Sequence, residues 1–353
     1  MREIQIDLAR IQSNYKQLKA LVAPSEVMAI VKANAYGHGM HEVAQALEEI
    51  SADALGVADL EEAIALRAAG IKSRLMCWIL SVEDDFAMAA EQNIELGVSN
   101  FEVLEAALSA NVKNIHIKVD TGLGRAGFAK SQWSEVFQKL SGKTIGIFSH
   151  LSNTSEAEDR LQEQLFLEAE TVALGAGVKI SQRHLAATAG ALSYPSMRYE
   201  MVRCGIGLYG LNPWDDRDYS QYQLKPVMKA VSEVVNLKRV LAGQGVSYGY
   251  RYRTDRETTL ALVPFGYSEG MPRIAQGAKV LIAGKQFEVS GRIAMDQFVV
   301  DIGDHKVELG AEVIIFGDPS HGEPSAEELG ASAGSINYEV ITRIGGRAKR
   351  VYL

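Results

Sequence analysis

The sequence predicts an α/β fold: an N-terminal (β/α)8 TIM barrel followed by a smaller all-β C-terminal domain. Three observations predict it. Short apolar runs alternate with longer amphipathic segments up to about residue 210. Polar residues recur where those runs end. After about Leu224 the texture changes to closely spaced β-like pieces separated by turn dipeptides.

The barrel strands are predicted at Val27–Ala33, Ala54–Ala58, Arg74–Leu80, Ile94–Ser99, Asn114–Asp120, Thr144–His150, Ile180–Ala187 and Met201–Ile206. Helical patterns lie between them, as in Glu42–Leu47, Leu60–Leu66, Glu102–Leu108 and Ala157–Leu174. Asp59, Ser81 and Asn100 read as helix caps, and Gly70 as a helix stop. Strand-then-helix units repeated this often are what a barrel needs, although an open doubly wound sheet uses similar units. No G-x-G-x-x-G follows the first strand to support a dinucleotide fold.

In the second domain the β pieces are Ala230–Leu241, Thr258–Pro264, Lys279–Ile282, Phe287–Val289, Gln297–Ile302 and Glu312–Phe316, divided by Ala242-Gly243, Ala283-Gly284 and Gly303-Asp304. Asn212–Arg217, with a proline and three charges, marks the approach to the boundary. The expected domains are residues 1–224 and 225–353.

Composition narrows the function. The 353 residues are 47% hydrophobic and 23% charged, ordinary for a globular chain with ample core. A net charge of −8 argues against nucleic acid as partner, because phosphate binding needs a basic face. Apolar runs of strand length give no expectation of a membrane span. The charged N-terminal segment reads as mature structure and not as a signal peptide. Cys77 and Cys204 sit in apolar runs, which fits thiols in a reducing cytoplasm better than a disulfide. His38 and His41 stand at H-x-x-H spacing without a recognisable third ligand, so no metal is expected.

A barrel builds its site from the loops at the C-terminal strand ends. Lys32 is expected to end the first strand, Lys118 and Asp120 the fifth, and His150 the sixth. Thr188 follows the seventh, Arg203 lies in the eighth, and Arg125 sits on the glycine-rich loop after the fifth.

These residues carry a resemblance. Val31-Lys32-Ala33-Asn34-Ala35-Tyr36-Gly37-His38-Gly39 resembles the pyridoxal-phosphate lysine signature of alanine racemases. Ile117–Gly127 and Val202–Gly210 resemble two further motifs of that family. Val246-Ser247-Tyr248-Gly249, Pro264–Tyr267, Gly291–Gln297 and Ile336–Val340 match its C-terminal motifs in order, so the likeness spans nearly the whole chain.

The resemblance implies a homodimer that interconverts L- and D-alanine with pyridoxal 5′-phosphate, supplying D-alanine for peptidoglycan. It makes Lys32 the lysine that holds the cofactor and the base on one face of the substrate, a role that needs an amine freed of its proton by burial. It makes Tyr248 the base on the other face. Arg125 would bind the substrate carboxylate and lower the Tyr248 pKa, His150 would lie along the cofactor ring, and Met295 would line the substrate pocket. Tyr36, Thr188, Gly205, Ile206 and Tyr338 would hold the phosphate. Arg203 would face the pyridine nitrogen; a guanidinium only donates, so that nitrogen stays unprotonated and transamination is suppressed. Tyr248 and Met295 would come from the partner subunit. In several family members the lysine matching Lys118 is carbamylated, and its negative charge positions the arginine.

The chain departs from the family where Ala187 and Thr188 replace a common Asn-Ser pair, losing an amide and keeping a hydroxyl. The alternative reading is a broader-range amino-acid racemase. A barrel-type decarboxylase, expected to place a carboxylate where Arg203 stands, or a non-catalytic cofactor carrier accounts for fewer of these residues.

Overall fold

The computed structural model describes every residue except Gln276. The chain divides into two compact units. One comprises Gln12–Ala35 and Met40–Leu208; the other comprises Met1–Ile11, Tyr36–Gly39 and Tyr209–Leu353.

The strand β1 (Glu3–Ile6) belongs to the second unit. In the first unit lie β2 (Glu26–Ile30), β3 (Ala54–Val57), β4 (Leu75–Cys77), β5 (Glu95–Val98), β6 (Ile115–Lys118), β7 (Thr144–Phe148), β8 (Lys179–His184) and β9 (Met201–Cys204). They pair in parallel and in chain order from β2 to β8, and β9 returns beside β2. A parallel bridge from Ala187 to Arg203 then joins the end of β8 to β9 and closes the barrel. Buried on both faces, β3 and β4 read as unbroken apolar runs, as parallel strands do.

Every predicted barrel strand is present, and each ends earlier than expected. β2 stops at Ile30, so Lys32 lies beyond the strand. β6 stops at Lys118 and β7 at Phe148, which puts Asp120 and His150 in the loops that follow. Asp120 Oδ1 there accepts from the Gly122 and Gly124 N–H groups at 3.0 and 3.2 Å, turning the chain instead of extending it. Asp59 and Asn100 cap the helices Leu60–Ala68 and Phe101–Ser109, each side chain accepting a free N–H of the first turn. Ser81 does not cap. It opens a turn in which its carbonyl accepts from Asp84, and Asp85 caps the helix Phe86–Glu91.

The second unit is built on a six-stranded sheet ordered Lys285–Glu288, Lys279–Ile282, Glu312–Phe316, Met228–Glu233, β1, Lys349–Tyr352. A three-stranded sheet holds Asn236–Val240, Thr258–Val263 and Phe298–Gly303. The predicted run Ala230–Leu241 is thus two strands. Val234 N–H donates to Ala311 and Val235 N–H to Leu262, so the chain changes sheets between two adjacent residues. Two short helices, Ala326–Ser332 and Asn337–Arg343, accompany the sheets. Among the described residues no helix is long and apolar enough to cross a membrane.

Candidate active site

Beyond β2 the chain enters a left-handed turn. Ala33, Asn34, Ala35 and Tyr36 take φ of 52°, 54°, 53° and 53°, a conformation that costs an L-residue about 1–2 kcal/mol. Neighbouring groups hold it. Glu62 accepts the Ala33 N–H at 2.6 Å with one oxygen and the Ala58 N–H at 2.9 Å with the other, while Asn34 Oδ1 accepts the Met40 N–H at 2.9 Å. Gly37 follows at φ +83°, where an added Cβ would fall 2.2 Å from the Ile341 carbonyl oxygen. The Lys32 amine is fixed at the start of this turn. Burial lowers its pKa, Arg125 lowers it further, and Glu62 opposes both.

Four cations of the first unit share one field: Lys32, Lys118, Arg125 and Arg203. Lys118, 7% exposed, is pulled down to about 8 by burial and then by Arg203 and Arg125, with Asp120 opposing. Its ammonium lies 5.9 Å from the centre of the Phe148 ring. His150 is driven down to about 3, first by burial and then by Arg203, Arg125, Lys118 and Lys32, so it is neutral at ordinary pH.

Arg203 is 6% exposed and is bound by acceptors other than carboxylates. It donates to the carbonyls of His184, Ser149 and Leu185 at 2.7, 2.7 and 3.1 Å, and to Nδ1 of His184 and His150 at 3.1 and 3.2 Å. Burial lowers it to about 10, which leaves it charged. Beside it the Gly205 N–H donates to Thr188 Oγ1 at 3.2 Å, joining the turns after β9 and β8. Ile206 follows, 1% exposed.

The remaining predicted residues belong to the second unit. The Tyr36 ring lies 4.9 Å from Tyr209 and 6.2 Å from Tyr338. Burial raises the Tyr338 hydroxyl pKa, with Asp215 adding to the shift. Tyr248 and Met295 are 69% and 53% exposed, unusual for large apolar side chains.

Sequence reasoning missed Glu62, His184, His116 and Glu95. Glu62 sits on an ordinary amphipathic helix, where its acidic first-turn position was the only signal. The other three lie on barrel strands: Glu95 opens β5, His116 is within β6 and His184 closes β8.

The four cations, a partly buried lysine of lowered pKa, and the Gly205–Thr188 pair at two loop starts suit an anionic carbonyl compound that an amine can hold covalently.

Two family models match the chain: the alanine racemase N-terminal domain over residues 6–213 and the alanine racemase C-terminal domain over 227–352. An alanine racemase of Thermobifida fusca is 41% identical, the match covering 99% of this chain and 97% of that one. The alanine racemase structure from D-cycloserine-producing Streptomyces lavendulae is 40% identical with a TM-score of 0.96, covering 100% of this chain and 97% of its own. That of Streptomyces coelicolor is 37% identical with a TM-score of 0.95, covering 100% and 98%.

Proposed function

Because the chain belongs to the alanine racemase family, we propose that its site inverts the substrate α-carbon with two bases. The reaction is the interconversion of L- and D-alanine, and the enzyme is an isomerase of a pyridoxal-phosphate-dependent family. Pyridoxal 5′-phosphate, when bound, would withdraw electron density from the substrate and acidify the hydrogen on its α-carbon.

The chain's own residues do the rest. Lys32, whose amine is already inclined to lose its proton, holds the cofactor and moves a proton on one face of the α-carbon. Tyr248 moves it on the other face. Arg125 pairs with the substrate carboxylate and Met295 limits the side chain. Thr188, Gly205, Ile206, Tyr36 and Tyr338 would hold the phosphate, and His150 would stand beside the ring. Arg203 supplies only donors, so beside the ring nitrogen of a bound cofactor it would leave that nitrogen without a proton, which would favour return of the α-hydrogen over side reactions. Lys118 carries carbon dioxide as a carbamate that faces Arg125.

The exposure of Tyr248 and Met295 supports a homodimer in which residues 225–353 of each copy complete the barrel site of the other. The cytoplasm, with D-alanine destined for the bacterial cell wall, is the setting this reading supports.

The observation that carries the proposal is Arg203, a buried cation held by carbonyls and imidazoles where a carboxylate would serve transamination or decarboxylation. Cofactor-loaded protein incubated with L-alanine tests it: D-alanine should form without accumulation of pyruvate. Steady pyruvate release at a rate comparable to racemisation would defeat the role given to Arg203.

A further inference from the structure

A line of buried polar groups leads away from Arg203 into the barrel, and none of the roles above uses it. Arg203 Nη1 lies 3.1 Å from His184 Nδ1, His184 Nε2 lies 2.9 Å from His116 Nδ1, and His116 Nε2 lies 3.2 Å from Glu95 Oε2. Arg74 clasps Glu95 at 2.9 and 3.1 Å and reaches Glu26 at 2.9 Å and Gln182 at 3.0 Å. Glu26 and Glu95 begin β2 and β5, at the end of the barrel opposite to Lys32 and His150. His184, His116 and Glu95 are 0%, 4% and 6% exposed. Barrel interiors are ordinarily filled by branched apolar side chains, and a buried polar group is costly unless paired.

The line has one direction. A guanidinium has donors and no acceptor, so His184 Nδ1 must accept from it. A neutral imidazole that accepts at Nδ1 carries its proton on Nε2, and His184 therefore donates to His116 Nδ1. By the same logic His116 carries its proton on Nε2 and donates to Glu95. Burial opposes ionisation of Glu95, but the hydrogen bonds from His116 and Arg74 outweigh it and hold the carboxyl at about 2. Protonating either imidazole a second time would aim two N–H groups at each other.

We propose that Arg203, His184, His116 and Glu95 form one directed hydrogen-bond chain, in which Arg203 sets the tautomer of both imidazoles and Glu95, as terminal acceptor, holds the guanidinium in position. His184, His116 and Glu95 are positioning residues that act through Arg203. No proton travels along the chain, because its first member cannot accept one. Gly146 on β7 leaves the room His116 needs: a Cβ there would fall 1.9 Å from His116 Nδ1. The consequence for catalysis rests on the reading of Arg203 as the neighbour of the cofactor ring; the chain itself does not.

Long-range proton–nitrogen NMR of the cofactor-free protein, with labelled histidine, tests the chain directly. His184 and His116 should both show the neutral Nε2–H form from about pH 6 to about pH 8, the range over which a free imidazole loses its charge. Both Glu95→Gln and Glu95→Leu should keep the two tautomers, because Arg203 sets them, but Glu95→Leu alone removes the acceptor of the His116 Nε2–H and should move the His116 Nε2 signals. In the loaded enzyme Glu95→Leu should weaken cofactor binding about 10- to 100-fold, the scale for partners that orient a ligand-binding group, with Glu95→Gln near wild type. An Nδ1–H or doubly protonated histidine in the wild type, or a Glu95→Leu variant with unchanged His116 signals, overturns the proposal. Arg203→Lys separates the two readings. If it leaves the absorption spectrum of the bound cofactor unchanged, the ring assignment fails, and the tautomers of the cofactor-free protein still decide the chain.

Discussion

Arg203 Nη2 donates to His150 Nδ1 across 3.2 Å, so the imidazole beside the guanidinium must be neutral and carry its proton on Nε2. His184 is constrained in the same way from Nη1. Both histidines titrate below the usual value, His150 at about 3 and His184 well below 6.5, mainly because burial disfavours the imidazolium.

A pH dependence of stability follows. Below pH 6.5 the unfolded chain binds protons at these two positions that the folded chain refuses, so stability present above 6.5 is lost as the pH falls toward 3. Each group adds up to about 1.4 kcal/mol per pH unit in that window. Urea midpoints taken on the acid side should fall accordingly, and His150→Asn, which still offers Arg203 an acceptor, should flatten the slope. An unchanged slope in that variant would remove His150 from the account.

Lys32→Ala should abolish covalent attachment of the cofactor, seen as loss of the borohydride-reduced adduct by mass. Racemisation should drop by at least about 100-fold, the lower range for a removed acid–base group. Retained adduct would move the attachment to another lysine.

Tyr248→Phe should lower kcat in both directions by about 10²–10⁴-fold while leaving the melting temperature near wild type, since the ring is kept and only a hydroxyl is lost. Loss of only one direction of isotope exchange would instead assign Tyr248 to a single proton and be consistent with two bases; full activity would end the two-base assignment.

Lys118, with a pKa of about 8, has a far larger unprotonated fraction near neutrality than a free lysine, and the lone pair of an unprotonated amine attacks carbon dioxide, releasing a proton as the carbamate forms. Native mass spectra recorded with bicarbonate should gain the mass of one carbon dioxide relative to degassed buffer, and Lys118→Arg should not. No gain in the wild type would leave Lys118 as a bare cation.

Gly146→Ala should destabilise by about 1–3 kcal/mol, the range for overpacking, because the new methyl group would occupy the place of His116. Urea unfolding measures it, and His116→Ala in the same background should recover part of the loss.

Much of this was legible in the sequence because local chemistry marks it. Glycines crowd the loops that carry Lys32 and Arg125, and the helix caps Asp59 and Asn100 act within three residues of themselves. What escaped depends on partners distant in the chain. His116 meets His184 across 68 residues, and Glu95 across 21. A histidine in Ile-His-Ile-Lys reads as one more strand residue until the barrel brings the other ring to it. The strand β1 escaped for the same reason: its neighbours are Met228–Glu233, more than 200 residues on, and Lys349–Tyr352, at the other end of the sequence.

The crowding of Lys32, Arg125 and Arg203 also makes folding a matter of mass action. Any anion that settles among these charges binds the folded chain and not the unfolded one, and adds RT ln(1 + [L]/Kd) to stability, about 2.7 kcal/mol at a hundredfold excess over Kd. Phosphate or sulfate in a buffer would then count as a ligand, and so would the carboxylate of a substrate. Melting temperatures of variants at this cluster become comparable only at one fixed anion concentration, and a substitution that removes a charge should shrink the stabilisation each added anion brings.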